Sequence, residues 1–408
     1  MKILSIETSC DETAVSIIEA KGDIPSVSFK VLADTLLSQV DIHKEYGGVY
    51  PNLAKREHSR NLIPLLKKTL DQGSVISNSP NSLISNKIPD TKLKKIGTLL
   101  SREPELLKQF LEYIPTISRP DIDAIAVTYG PGLEPALWVG INFAKALNLI
   151  WDLPLIAVNH MEGHITSSIL STIEKGPENP IEFKLESPTF PALSILISGG
   201  HTEFVLMEDW LSYKIVGETR DDAVGEAFDK IARIMGIAYP GGPEIARRAE
   251  IARKKPDLNN PIKLPRPMIN SGDLDMSFSG LKTAALYLLR DKEELSDDYK
   301  NKVSMETENA IADVLAKKSK IAIDEYGIKS LLVGGGVSAN KEIRRRLSQL
   351  SDEQGITVYY PHNSMQTDNS LMIGCAGILR FIHEKQKAFT DPSEISAEGS
   401  LSFDRRSV

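Results

Sequence analysis

At 408 residues and 41% apolar content, the chain is long enough for a well-buried core and for two or three domains, so a globular, enzyme-sized protein is expected. Its net charge of −7 leaves no overall basic footprint, and a nucleic-acid partner has to meet a local patch or be shared with another subunit. Two cysteines, Cys10 and Cys375, lie too far apart in sequence to read as a disulfide framework and fit a reducing compartment. No apolar run has membrane-spanning length, and the opening stretch MKILSIETS enters a strand pattern at once, so a soluble cytoplasmic chain with no membrane partner is expected.

In chain order, KILSIE reads as a strand. A polar turn with Thr8, Ser9, Asp11, Glu12 and Thr13 follows, then a second strand, which places carboxylates and hydroxyls at a hairpin tip. YPNLAKREHSRNLIPLLKKTL reads as a helix with Lys55, Arg56, His58 and Arg60 ahead of an apolar stripe. From about 73 to 118 the rhythm breaks: SVISNSPNSLISN is a Ser/Asn-rich loop and SREPELLKQFLEY a short amphipathic helix, together an insertion on a complete fold. AIAVTYG and PLIAVN are strands flanking the helical LEPALWVGINFAKALNLIW. EKGPENPIEFKLESP, 174 to 188, separates two lobes or forms a long hairpin loop.

The second half repeats the strand, turn, strand plan in ALSILISGG and EFVLM, where Gly199 and Gly200 let backbone N–H groups approach an anion and His201 and Thr202 add donors. A helix, AVGEAFDKIARIMG, comes next. KSLLVGGG then ends a strand in glycines, and Ser338, Ala339 and Asn340 open the helix NKEIRRRLSQL, whose N-terminus can face a phosphate or a nucleoside. VYYP is a strand and NSLMIGCAGILRFIHEK the last helix. Strands alternating with helices give an α/β architecture. One glycine turn carries little weight, but three at strand ends favour a nucleotide.

The stretch HMEGH sets His160 and His164 four apart, on one face of a helix and in a common metal grip. Seven histidines would place some pair four apart by chance roughly one time in ten, so the spacing alone is suggestive only. A zinc-protease helix is excluded by Glu162, which lies about 200° around the helix from His160 instead of directly following it.

Taken together, IETSCDETAVSI, SQVDIHKEYGGVYPNLAKREH, TYGPGLEPALWVG, VNHMEGHI, LISGGHTEFV, DDAVGEAFDKIARIMGIAYPGGP, SFSGLKTA, VGGGVSAN and TDNSLMIGCAG resemble, in matching order and nearly end to end, the family of tRNA threonylcarbamoyladenosine transferases. The resemblance implies the two-lobed α/β fold shared by actin, Hsp70 and sugar kinases, with a nucleotide cleft between duplicated lobes. The N-terminal lobe is expected at 1–158 and the C-terminal lobe at 159–408, with the last helices packing back on the first lobe. It also implies the reaction, transfer of a threonylcarbamoyl group from threonylcarbamoyl-AMP to N6 of adenosine 37 in tRNAs reading codons that begin with A.

By the same resemblance Asp368, in QTDNSL, joins His160 and His164 as the third ligand of one divalent metal per subunit, iron(II) or zinc(II). Open coordination positions on such a site suit catalysis. The backbone from Leu196 through Ile197, Ser198 and Gly199 to Gly200 would hold the donor's phosphate and carbamoyl end, with His201 beside it. Asp229 would bind the ribose, with Glu226 one turn before it, Gly242 would face the ribose, and Asn340 would contact the adenosine. Asp11 and Glu12 are candidates to position the adenine amine or accept its proton; their alternative is to bind a cation or cap the turn. The family also implies a smaller, degraded paralogue docked near the 51–70 helix and an ATPase subunit, with the paralogue helping to bind tRNA. The 73–118 insertion departs from the shorter bacterial pattern, and Glu134 and Pro135 stand where small residues are frequent. The competing readings are a small-molecule kinase on the same fold and a noncatalytic scaffold, which would be expected to lose the metal ligands.

Overall fold

The computed structural model describes residues 1–76, 88–173, 180–254, 262–290, 292 and 294–403. Part of the Ser/Asn-rich stretch and the start of EKGPENPIEFKLESP fall outside these residues. The chain forms two compact units: the first is Met1–His43, Val49–Ser187 and the segment from Thr367 onward, the second Lys44–Gly48 and Pro188–Gln366.

In the first unit β1 (Lys2–Glu7), β2 (Glu12–Lys21) and β3 (Ser28–Ser38) form an antiparallel meander. On the other side of β1, β4 (Ala124–Gly130) and β5 (Leu155–Asn159) join in parallel. A hairpin of β6 (Leu170–Ile173) and β7 (Glu182–Leu185) extends the sheet beyond β3, giving the order β5-β4-β1-β2-β3-β7-β6. The strands β1, β4 and β5 are buried along nearly their whole length, as expected of a sheet covered on both faces, which is why their sequences run apolar without alternation.

The short α1 (Val40–His43) leads to α2 (Pro51–Gly73). Proline suits the first helical position, where the missing N–H would have no partner in any case. Ala54, His58, Leu62, Leu65, Leu66, Thr69 and Leu70 recur at three- and four-residue spacing and are the buried side of this helix. From the 73–118 segment, α3 (Asp90–Leu99) and α4 (Pro104–Tyr113) contribute Ile96, Leu106 and Phe110 to the same core. Phe110 meets Phe143 of α5 (Glu134–Trp151) edge to face, with ring centroids 6.1 Å apart. Pro135 is accommodated in the first turn of α5. After β5 comes α6 (His160–Ser168). The expected boundary after residue 158 therefore falls inside this unit, because α6 and the β6–β7 hairpin build onto the first sheet.

The second unit repeats the plan. Strands β8 (Ala192–Ile197), β9 (Thr202–Met207) and β10 (Lys214–Glu218) are antiparallel, and β11 (Ser330–Gly334) and β12 (Thr357–Tyr359) add in parallel, in the order β10-β9-β8-β11-β12. This is the β3-β2-β1-β4-β5 arrangement of the first sheet, the duplication expected of the fold shared by actin, Hsp70 and sugar kinases. Its helices are α7 (Val224–Ile234), α8 (Gly241–Lys254), α9 (Ser279–Leu289), α10 (Asp297–Tyr326) and α11 (Lys341–Gln354). Val224, Ala227, Phe228 and Ile231 of α7 form an i, i+3, i+4, i+7 stripe in the second core.

From Thr367 the chain returns to the first unit, where α12 (Ser370–Glu384) packs on β1 and β2 through glycine. A Cβ on Gly374 would sit 2.6 Å from Ile18 Cδ1 and 2.9 Å from Ser5 Oγ. Among the described residues no helix is long and apolar enough to cross a membrane.

Candidate metal centre and glycine turns

The metal-ligand candidates stand at the N-terminal ends of two helices. Asn159 caps α6 by accepting the Met161 N–H at 2.8 Å, which starts the helix at His160. Asn369 caps α12 in the same way through the Met372 N–H at 2.9 Å, and Asp368 immediately precedes it. His160 Nε2 and His164 Nε2 lie 3.3 and 3.2 Å from Asp368 Oδ1. The two rings meet edge to face with centroids 4.7 Å apart, and one ligand atom from each residue falls within 4.8 Å of the others. Residues 204 positions apart in sequence are thus brought together, as the resemblance implied.

The donor set fits a cation. His164 is fully buried, yet neither ring nitrogen makes a hydrogen bond, although Asp368 Oδ1 lies 3.2 Å from its Nε2. A buried imidazole with two unsatisfied nitrogens is costly unless a further group completes it. Asp368 keeps 23% of its side chain exposed, so the triad has an open side.

Behind the triad is a carboxylate that the sequence reading missed. Glu7, wholly buried, accepts from Thr128 Oγ1 at 2.6 Å and from the Ser9 N–H at 2.5 Å, and its Oε2 lies 3.2 Å from His160 Nδ1. Ser9 Oγ is also 3.2 Å from that nitrogen. The only signal was a carboxylate closing an apolar strand, KILSIE. Burial works against charge on His160, but the flanking Asp368 and Glu7 carboxylates outweigh it and hold the ring's pKa well above the usual value. Burial dominates at His164 and lowers its pKa. The cationic His160 in turn overcomes burial at Asp368 and Glu7 and lowers both carboxyls.

Asp11 and Glu12 sit at the first hairpin tip, where the Gln39 N–H bonds the Asp11 carbonyl and Ser38 Oγ donates to Glu12. Burial, then the charges of Asp11 and Asp368, push the Glu12 carboxyl up to about 10, so without a bound cation it is neutral at pH 7. The tip is tightly braced. Leu133 N–H bonds the Ser9 carbonyl at 2.7 Å, and a Cβ on Gly132 would meet that oxygen at 2.6 Å, so the glycine lets GPG close on the turn. His58 Nε2 reaches the Cys10 carbonyl at 3.0 Å while its Nδ1 faces Thr13 Oγ1 at 2.7 Å.

His58, grouped in the sequence with the basic residues Lys55, Arg56 and Arg60, is fully buried, and burial lowers its pKa to about 4. Its neighbours are largely paired, Lys55 with Glu103 at 2.9 Å and Arg60 with Glu57 at 3.2 Å.

The donor-binding candidates all lie in the second unit. Leu196 and Ile197 are fully buried strand residues, and Leu196 is paired in the ladder on both sides. The open part of this turn is Gly199 and Gly200, where an added Cβ would meet nothing within 4 Å. Ser198 folds the turn, its Oγ accepting from the His201 N–H at 3.1 Å and its carbonyl from the Gly225 N–H at 3.1 Å. Because β8 and β11 are adjacent and parallel, the 198–201 turn and the Gly335–Asn340 turn lie at the same end of the sheet. Gly335 has φ +87°, and a Cβ there would collide with the Ile197 carbonyl.

Asp229 and Gly242 also come together, since Asp229 accepts the Gly241 N–H at 2.7 Å and the Gly242 N–H as well. Burial still raises the Asp229 pKa. Glu226 pairs with Lys230 at 2.8 Å. Asn340 caps α11 through the Glu342 and Ile343 N–H groups at 3.0 and 3.1 Å and donates to Glu308 at 2.6 Å. Asp221 likewise binds the Phe278 and Ser279 N–H groups at 2.7 and 3.1 Å, joining DDAVGEAFDK to SFSGLKTA.

The model of the tRNA N6-adenosine threonylcarbamoyltransferase family matches residues 30–78 and 102–375. The protein of that name from Dictyoglomus turgidum is 39% identical over 408 residues, covering 100% of both chains. The one from Burkholderia thailandensis is 38% identical over 397 residues, 96% of this chain and 95% of its own. Among solved structures, component A of the (R)-2-hydroxyglutaryl-CoA dehydratase of Acidaminococcus fermentans has a TM-score of 0.43 at 10% identity, covering 94% of this chain and 98% of its own. With a family match across most of its length and relatives equal to it in size, this chain belongs to the tRNA N6-adenosine threonylcarbamoyltransferases.

Proposed function

We propose that this acyltransferase moves the threonylcarbamoyl group from threonylcarbamoyl-AMP to N6 of adenosine 37 in tRNAs reading codons that begin with A, at a site centred on His160, His164 and Asp368. The observation that carries the reading is the buried His164 ring, neither nitrogen of which makes a hydrogen bond, within a three-residue donor set that is open on one side. In the transfer the adenine N6 attacks the carbamoyl carbon, an N–C bond forms, the bond to the phosphate oxygen breaks, and AMP leaves as the anion. The exocyclic amine is a weak nucleophile because its lone pair is delocalised into the ring, so the carbonyl has to be polarised. A divalent metal held by His160, His164 and Asp368, iron(II) or zinc(II), would supply that Lewis acidity.

The chain's own groups do the rest. Glu7 holds His160 by Nδ1 so that Nε2 faces the site. Asp11 and Glu12 orient the amine and take up its proton; burial and the neighbouring carboxylates keep Glu12 protonated, so it would accept a proton only where a cation offset them. The Gly199–Gly200 turn offers backbone N–H groups to the donor's phosphate and carbamoyl end. Asp229 and Gly242 meet its ribose. Asn340, whose amide oxygen is engaged as a cap, contacts adenosine through its remaining N–H or its backbone. A smaller paralogue docking near α2 and an ATPase subunit complete the working complex, and its cytoplasmic location follows from its tRNA substrate.

Supplied with threonylcarbamoyl-AMP, tRNA and these partners, the chain is expected to form the modified nucleoside with no ATP in the chemical step. Phosphorylation of a sugar or carboxylate with no product on tRNA would instead select the kinase reading, which has no use for the His/His/Asp set.

A further inference from the structure

Glu162 is the one charged residue of HMEGH with no part in the chemistry above, and it is 4% exposed. Lying about 200° around α6 from His160, it faces away from the ligand side of the helix. Both its carboxylate oxygens lie 3.0 Å from Arg380 Nη2, on α12. Arg380 Nη1 donates to the Ala157 carbonyl at 2.9 Å, on the strand that runs into His160. One guanidinium thus grips both the helix that carries His160 and His164 and the strand leading into it, from the helix that Asp368 introduces. Glycine closes the same seam: a Cβ on Gly163 would stand 3.0 Å from Met372 Cγ and 3.1 Å from Ile373 Cδ1, and one on Gly377 would stand 3.4 Å from Val158 Cγ2, on the strand leading into α6.

We infer that Glu162 and Arg380 are positioning residues for the metal centre, a tie between α6 and α12 that sets the separation of the two imidazoles from Asp368. Ligand atoms drawn from two separate helices need such a register, because metal affinity depends on donor placement to within about 0.2 Å. Removing an outer-shell support of this kind typically weakens metal binding about 10- to 100-fold.

The inference rests on the reading of His160, His164 and Asp368 as metal ligands, and the test separates the two. Cobalt(II) alone is titrated into the metal-free full chain, followed by its visible absorption, with the melting temperature measured in parallel. Failure of the parent to bind cobalt(II) at one equivalent would remove the metal reading, and the inference with it. With the parent binding, the Glu162→Leu/Arg380→Met double variant replaces the buried pair with apolar groups, a change that is often neutral for stability. It is expected to melt close to the parent yet bind cobalt(II) about 10-fold or more weakly. Arg380→Lys, which keeps the charge and loses the fork, is expected to bind more weakly as well. Parent-like cobalt(II) affinity in either folded variant would overturn the inference and leave the pair a packing contact.

Discussion

The triad of the first unit and the glycine turns of the second are built in opposite ways. At the triad, side chains are held ready and partly unsatisfied: the His164 ring nitrogens make no hydrogen bond, Asp368 keeps 23% of its side chain exposed, and Glu7 fixes a ring it does not replace. At the turns, the polar side chains already serve the fold, with Asp229 holding the start of α8 and Asn340 capping α11, while the open groups are backbone. The difference separates the two kinds of residue by experiment. Substitutions at the triad should remove function and spare stability; substitutions at the turns should affect both.

The largest effect is expected at the ligands. His164→Ala or Asp368→Ala should lose bound metal on elemental analysis and lower the transfer rate more than about 10³-fold, with several kcal/mol of transition-state stabilisation removed. Melting temperatures should stay near the parent's, since a three-ligand open site does not hold the fold together. A large fall in melting temperature would make the triad structural and break the contrast.

Next come the hairpin carboxylates. Glu12→Gln and Asp11→Asn should lower the single-turnover rate at saturating donor about 10²-fold or more, with donor affinity little changed. Loss of donor affinity by a comparable factor, with the saturated rate intact, would make IETSCDET a binding turn.

The stability of that turn carries its own pH signature. His58 is neutral in the native state, its pKa lowered from 6.5 to about 4 by burial, so the unfolded chain takes up a proton first as the pH falls. The stabilisation is complete above about pH 6.5, declines through the window between, and is gone below about pH 4, a loss of about 3 kcal/mol. Denaturant unfolding across this range should show the slope in the parent and a shallower one in His58→Gln. Equal slopes would remove His58 from the turn's support.

The smallest effect belongs to the second unit. Asn340→Ala should cost about 1 kcal/mol for the lost cap, with a further cost for the unpaired Glu308, whereas Asn340→Ser restores the cap alone. Thermal melts of the two variants should differ by a few degrees. Identical melts would show that the cap contributes little, and a donor-affinity loss without destabilisation would make Asn340 a ligand contact first.

Much of this was legible in the chain. Strands with continuous apolar runs and glycine ends, such as AIAVTYG and KSLLVGGG, read correctly because burial on both faces leaves no other pattern. The cluster of His160, His164 and Asp368 was anticipated through the motif order, since spacing alone could join His160 to His164 but never to Asp368. The long α10 went unread, because its charged residues pair with distant segments and leave its periodicity weak: Glu308 with Arg253, and Asp313 with Arg266 at 2.9 Å. Glu7 and Arg380 were invisible for a related reason. Their partners, Thr128 and His160 for one and Glu162 for the other, become neighbours only once the sheet and α12 are assembled. His58 could not be told from Lys55, Arg56 and Arg60 in the sequence, because a histidine among them reads as one more basic residue, and only the hairpin across from it shows that it is inside.

The most direct test is mass spectrometry of tRNA nucleosides from cells lacking their own transferase, expressing either this chain or its Asp368→Ala form at equal soluble levels. Threonylcarbamoyladenosine in the first and its absence in the second is the result expected of a transferase that works through His160, His164 and Asp368. Equal amounts of the modified nucleoside in both would contradict it.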